Sequence, residues 1–283
     1  MSIMPLEKTS EQRGQTQFED KWRTANDVPK GPEEWTVFVP PGAKPATQRQ
    51  FSLFWYSDFI RQAIRGKGYS RGLELGCGRG TASLYLSKYD KIKMTLVDIS
   101  PSAIELARRN FSAAGEEGEF VCADAAALPF PDGGYDLVVM IGLLEHFADY
   151  QPILRECFRV LRPGGAVVTL NIPAKRSVQD LNRLWKTLLR LFTTVAPRPD
   201  YYRNADTPAD YARAARESGF KEVAITFVNP FALFAPAPEW FDRLVARADN
   251  LVARLRLLWR PQPLVTGSRL AQAHFLVAEK PRS

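Results

Sequence analysis

The sequence predicts an α/β fold built on a parallel sheet, and three observations carry that prediction. Apolar runs of strand length alternate with helical patterns from about residue 71 to residue 171, the signature of parallel strands joined by crossovers. The first run, Leu73-Glu74-Leu75, stops at glycines in alternate positions, Gly76, Gly78 and Gly80, ahead of a helix from Thr81. The chain has 283 residues, 45% of them hydrophobic, enough to bury the core of one α/β domain with additions.

In chain order, residues 1–47 read as an N-terminal arm. Its first part is expected to be mobile, while its aromatic residues, Trp22, Trp35 and Phe38, could fold back over a site. Pro40-Pro41-Gly42 breaks any regular element there. Phe51–Ile64 places Phe51, Phe54, Trp55 and Phe59 at helical spacing and reads as a helix beside the sheet. Strands are predicted near 71–75, 92–97, 119–122, 135–141, 166–171, 221–228 and 271–278. Ser100-Pro101 starts a helix over 102–113, a polar residue before a first-turn proline. Thr207-Pro208 does the same for 208–217, which stops at Gly219. From 48 to 283 the chain reads as one domain with insertions at about 174–205 and 230–268.

Glycine lets the backbone turn sharply and lets a ligand approach main-chain atoms, and in open α/β sheets nucleotide-like ligands bind at such strand ends. A dinucleotide site needs Gly or Ala three residues after the second glycine, and that position is Thr81. Glu74 stands two residues before the first glycine. The order acid, x, Gly, x, Gly, x, Gly resembles motif I of the class I S-adenosylmethionine (SAM)-dependent methyltransferases. Further blocks follow in order: Asp98 in Leu96-Val97-Asp98-Ile99, Asp124 in Cys122-Ala123-Asp124-Ala125, then Leu128-Pro129-Phe130 with Gly134–Met140, Glu145-His146-Phe147, and Leu154–Gly165. These resemble the group that includes the ubiquinone/menaquinone methyltransferases, over roughly residues 70–172.

The resemblance implies a Rossmann-like class I methyltransferase fold, seven strands with the last antiparallel, and helical lid insertions after strands five and six. It implies that Gly76 and Gly78 lie against the amino-acid end of SAM, with Cys77 a small packing residue in the same turn, and that Glu74 helps hold the ammonium. Asp98 would bind the ribose, Ile99 pack on the adenine, and Asp124, with Ala125 beside it, bind the adenine amino group. S-adenosylhomocysteine (SAH) is then the product, and no metal is demanded. His146 is the leading candidate for a general base, because an unperturbed pKa of about 6.5 suits proton transfer; the competing role is to shape the SAM pocket. Tyr201 and Tyr202 are weaker candidates that could hydrogen-bond an acceptor or pack beneath a lid. His274 is read as a packing residue of the last strand.

The formal charge is +7, and its placement is uneven. Residues 175–203 hold seven Lys/Arg against Asp180 and Asp200, and residues 239–260 hold five Arg against Glu239, Asp242 and Asp249. The same two segments carry apolar stripes at helical spacing: Leu181, Leu184, Trp185, Leu188, Leu189, Phe192 and Val195 in one, Trp240, Phe241, Leu244, Val245, Ala248, Leu251, Val252, Leu255, Leu258 and Trp259 in the other. The expectation is a lid whose stripes line an acceptor cavity. Mutual packing, a homodimer contact and docking on an anionic membrane remain open readings of the same pattern.

The function expected is methyl transfer to a small or lipid-like, amphiphilic or anionic acceptor, with oxygen favoured as the methylated atom and carbon or nitrogen open. Nucleic-acid methylation fits less well, because the positive charge interleaves with wide apolar stripes instead of forming a phosphate track. A non-catalytic SAM- or SAH-binding protein is the third reading. Cys77, Cys122 and Cys157 lack paired metal spacing and read as reduced thiols. With no signal core in Met1–Asp20, the expected location is cytoplasmic, with peripheral membrane contact as an option.

Overall fold

A computed structural model describes residues 18–23, 38–39, 42–174, 187, 201–229 and 239–282. Seven strands form one sheet: β1 (Arg71–Leu75), β2 (Lys93–Asp98), β3 (Glu119–Cys122), β4 (Tyr135–Ile141), β5 (Leu161–Asn171), β6 (Glu222–Val228) and β7 (Ala273–Glu279). Their spatial order is β3-β2-β1-β4-β5-β7-β6. The first five strands pair in parallel, and β7 runs antiparallel to both β5 and β6. The expected class, a seven-stranded mostly parallel sheet with its last strand reversed, is what the chain adopts. β5 begins five residues earlier than the apolar run alone indicates. The register slips between Tyr135↔Leu161 and Leu137↔Ala166, so the Pro163-Gly164-Gly165 kink is absorbed as an irregularity inside the strand.

Among the described residues, the helices that flank the sheet are α1 (Gln48–Ala63), α2 (Thr81–Asp90), α3 (Pro101–Ala113), α4 (Gln151–Val160), α5 (Pro208–Glu217) and α6 (Glu239–Leu257). Side-chain caps define the starts that the sequence marks. Thr47 Oγ1 accepts from Gln50 N, Ser100 Oγ accepts from Ala103 N, and Thr207 forms a reciprocal box with Asp210. Alternate residues of each strand enter two cores. Leu137, Val139, Val168 and Phe275 pack with Phe51, Ile60, Leu84 and Phe111 on one face. Val138, Met140, Val167 and Leu276 pack with Leu154, Cys157, Tyr211 and Phe220 on the other.

Helix α6, one of the two segments expected to form a lid, packs through its small residues. Its buried residues are Ala246 and Ala253, and it lies along α1 on the outer side of the first core. Gln48 Nε2 donates to Asp242 at 2.7 Å, and beyond the end of α6 Gln262 Nε2 donates to Asp58 at 2.7 Å. Trp240, Leu244, Leu251, Leu255 and Leu258 are exposed. Small residues make the closest helix approach, which leaves the large ones outward. The other stripe, Leu181–Val195, lies outside the described residues save Thr187, which is helical.

Candidate active site

The site is assembled where β1 to β4 stop. Register pairs Leu75 with Val97 and Asp98 with Cys122, so the carboxyl ends of β1, β2 and β3 lie side by side. The glycine turn leaves β1 through Cys77 N donating to Val97 O at 3.0 Å and closes with Gly80 N donating to Cys77 O at 2.8 Å. Gly76 and Gly78 have φ of 65° and 50°, a region that L side chains rarely adopt. A Cβ on Gly76 would come 2.8 Å from Leu143, and one on Gly78 2.6 Å from Trp22. Cys77 is buried, and its thiol is pushed well above the ordinary range, mainly by burial and then by Asp98 and Glu74. It is a packing group in the turn, without the thiolate a nucleophile needs.

Two acids face this turn. Glu74 is 3% exposed and accepts from Ser83 N at 3.1 Å and Ser83 Oγ at 2.5 Å, at the start of α2. Burial pushes its pKa up to about 7 against those two donors. Asp98 accepts from Gly78 N at 2.9 Å through Oδ2 and from Ser100 N at 3.0 Å through Oδ1. Burial raises it above the usual carboxylate value, while the Ser100 and Gly78 amides and the Lys21 charge pull it down. Each oxygen retains acceptor capacity beyond the amide it already binds. Beside Asp98, Ile99 is 40% exposed. Asp124 is exposed, with Oδ1 taking Ala126 N at 2.9 Å, and Ala125 is buried next to it.

This donor and acceptor set fits SAM. A buried carboxyl held near pKa 7 gains its charge when an ammonium approaches. The glycines add no side chain of their own over the main chain, where Leu143 and Trp22 lie close, and Ile99 offers an apolar surface next to an acid suited to ribose hydroxyls.

The N-terminal segment contributes more than the sequence reveals. Residues 18–23 are helical and sit at the same edge. Glu19 accepts from Ser100 Oγ and, at 2.5 Å, from Ser102 Oγ. Phe18 stacks on Tyr201 with centroids 4.8 Å apart and meets His146 edge-on at 4.9 Å. Lys21 Nζ is 4.4 Å from the Trp22 ring centroid. Because Trp22 covers Gly78, addition of SAH should change the protein's tryptophan fluorescence, and Trp22→Phe should remove most of that change. An identical response in the variant would show that the ring does not meet the ligand.

The acceptor side lies beyond β4. His146 ends a 3₁₀ turn, Leu144–His146, and its Nδ1 is 2.7 Å from Tyr202 O. A carbonyl can only accept, so Nδ1 carries the proton and Nε2 keeps the lone pair. Burial, helped by the charges of Arg203 and Lys21, lowers the ring's pKa to about 4 despite that hydrogen bond. Tyr202 contributes this carbonyl while its side chain is exposed; Tyr201 contributes its ring to Phe18. His146 and Tyr201 are thus brought together by ring contacts, with centroids 6.2 Å apart.

One buried acid escaped the sequence reading. Glu145 is 1% exposed, its pKa is pushed up to about 7 by burial, and its Oε2 has no hydrogen-bond partner among the described residues. Its main-chain carbonyl accepts from Asn204 N at 2.7 Å, which ties the loop before α5 to the end of β4. His274 is buried in β7 with Nε2 3.3 Å from Asn171 Nδ2, a packing role as expected. No group of three or more His, Cys, Asp or Glu suited to a metal occurs among the described residues.

Comparison with known proteins shows what this edge is similar to. The methyltransferase domain family matches residues 73–169. Demethylmenaquinone methyltransferase of Thermus thermophilus is 41% identical over 122 residues, 43% of this chain and 55% of that protein. Fatty-acid O-methyltransferase of Mycolicibacterium smegmatis is 36% identical over 118 residues, 41% of each chain. The chain spans about half the length of the curated relatives it matches. The crystal structure of the [4+2]-cyclase SpnF aligns over 100% of both chains with a TM-score of 0.62 and 18% identity, a likeness of fold. Residues 73–169 thus match a methyltransferase domain family, and they lie on a seven-stranded sheet of order β3-β2-β1-β4-β5-β7-β6.

Proposed function

We propose that the protein transfers a methyl group from SAM to a small or lipid-like acceptor, with an anionic oxygen as the receiving atom. The observation that carries this is the pair of buried acids, Glu74 and Asp98, facing a glycine turn inside the segment that matches a methyltransferase domain family. Bound SAM supplies a methyl carbon already activated by its sulfonium. The residues of this chain then hold and align. Glu74 answers the ammonium, Asp98 takes the ribose hydroxyls, Ile99 packs on the adenine and Asp124 meets its amino group. Placing acceptor and methyl carbon in line, away from water, supplies much of the rate.

His146 supports the choice of acceptor atom. With its pKa lowered to about 4, the ring is neutral at physiological pH but a weak base, poorly matched to removing a proton from an alcohol. An acceptor that arrives as a carboxylate or another anionic oxygen needs no such help. Arg203, whose charge acts on both His146 and Glu145, favours negative charge here. The relatives named for demethylmenaquinone and for fatty acids support a lipid-like acceptor. His146→Ala should accordingly lower turnover by less than about tenfold, with an unchanged pH–rate profile. A limb of the profile that vanishes in the variant would instead make His146 the base.

The reading is tested by incubating the chain with SAM and a panel of fatty acids, phenols and quinols, with products identified by mass spectrometry. A methyl ester, released by mild alkali, is expected. An alkali-stable product methylated on carbon would overturn the choice of oxygen. SAH binding without any product would favour a protein that binds the cofactor and does not turn over.

A further inference from the structure

Helix α6 presents an apolar face that nothing in the described structure covers. At about 3.6 residues per turn, Trp240, Leu244, Leu251, Leu255 and Leu258 fall on one stripe, and all five are exposed, Trp240 and Leu258 at 69% each. Trp259 follows at 78%. On the same helical projection, exposed Arg243, Arg247 and Arg254 run along one flank of the stripe, and Arg260 lies just beyond its end. The opposite side of the helix holds Ala246 and Ala253 against the body of the protein, with Asn250 Nδ2 donating to Pro45 O at 2.8 Å. The stripe is thus the outer face of a firmly docked helix, at a scale that soluble monomers rarely leave open.

We propose that this face docks on an anionic lipid surface, the helix lying in the plane of the interface. No described helix is long and apolar enough to cross a membrane, whereas a basic helix with Leu and Trp on one face and arginines beside them suits the headgroup boundary. Arginine stems can lie along the apolar surface while the guanidinium reaches phosphate. Tryptophan stands at both ends of the stripe, the residue enriched where an apolar interior meets water. Charge decides between occupants. Residues 239–260 carry five Arg against three acids. A second copy would bring the same positive excess to the contact, while anionic headgroups neutralise it.

The test uses the full chain in co-sedimentation with vesicles of phosphatidylcholine alone or with about one third phosphatidylglycerol. Binding to the anionic vesicles is expected at low salt, at least about tenfold tighter than to neutral ones, with release as salt screens the arginines. Trp240→Ser combined with Leu251→Ser and Leu255→Ser should reduce binding by at least about tenfold. These side chains are solvent-facing, so melting temperature and SAH affinity should stay at parental values. Failure of the parent to bind anionic vesicles at low salt would overturn the proposal, as would undiminished binding by the triple variant. A parental dimer that the same three replacements disperse would assign the stripe to self-association and equally overturn it.

Discussion

Gly78→Val should weaken SAM binding at least ~100-fold, about 2.7 kcal/mol. Two costs combine at this position. The backbone has φ of 50°, where a β-branched residue is strained by at least ~1 kcal/mol. The new branch also enters the space above the turn, 2.6 Å from Trp22 at its Cβ alone, which is where the amino-acid end of SAM would lie. Asp98→Ala should cost less, ~1–2 kcal/mol for the lost charge-assisted hydrogen bonds, because the glycine turn stays intact. Titration calorimetry with SAM and with SAH checks both variants, and a melting curve confirms that each is folded. Parental affinity in folded Gly78→Val would remove the glycine turn from the binding site.

Glu145→Gln should stabilise the protein at alkaline pH and leave it unchanged near pH 4.5. Burial pushes the pKa of folded Glu145 up to about 7, from an ordinary value of 4.5. A carboxyl raised in the folded state keeps its proton more tightly there than in the unfolded chain, so the stability it contributes is complete below the unfolded value. That stability falls as pH rises from about 4.5 and is lost once pH passes 7. A shift of this size is worth about 3 kcal/mol, or roughly 6–12 °C in melting temperature for a domain of this size. Glutamine copies the protonated shape and cannot ionise. Glu74 adds a parallel loss over the same window. His146 and His274, both lowered to about 4, act oppositely, gaining stability as pH rises from about 4 to 6.5. The difference between variant and parent isolates Glu145 from all three. Melting curves that stay parallel from pH 5 to pH 8.5 would show that Glu145 does not titrate in this window.

The arrangement of the candidate edge was legible because its residues are fixed by the main chain. A glycine turn after an apolar strand, an acid ending the next strand at Asp98 and another after the third at Asp124 need only strand order to come together, and alternation of strand and helix supplies that order. Glu145 was not legible as a buried acid. A Glu-His pair after a strand looks like a polar loop, and the residues that act on it, Arg203 through its charge and Asn204 through a hydrogen bond to the Glu145 carbonyl, lie about 60 positions on. The aromatic residues of the arm pointed to a segment that folds back over a site, but residues 18–23 gave no periodic signal, so their particular partners, Gly78, Ser100 and His146, emerge only in three dimensions. Helix α6 shows a different limit. Its stripe was read correctly as helical, but periodicity weights large residues as the packed face. Here two alanines and a set of polar contacts make the docking side, so the sense of the stripe reverses.

The central claim is methyl transfer at the edge formed by Glu74, Gly78 and Asp98, and the most direct measurement follows the methyl group itself. Parent and Asp98→Ala would be supplied with methyl-labelled SAM and the acceptor panel, and label counted in the organic extract. The account predicts labelled product from the parent, falling in the variant in step with its loss of SAM affinity. Label transfer that is equal in the two proteins, or a parent that binds SAH yet labels none of the panel, would contradict it.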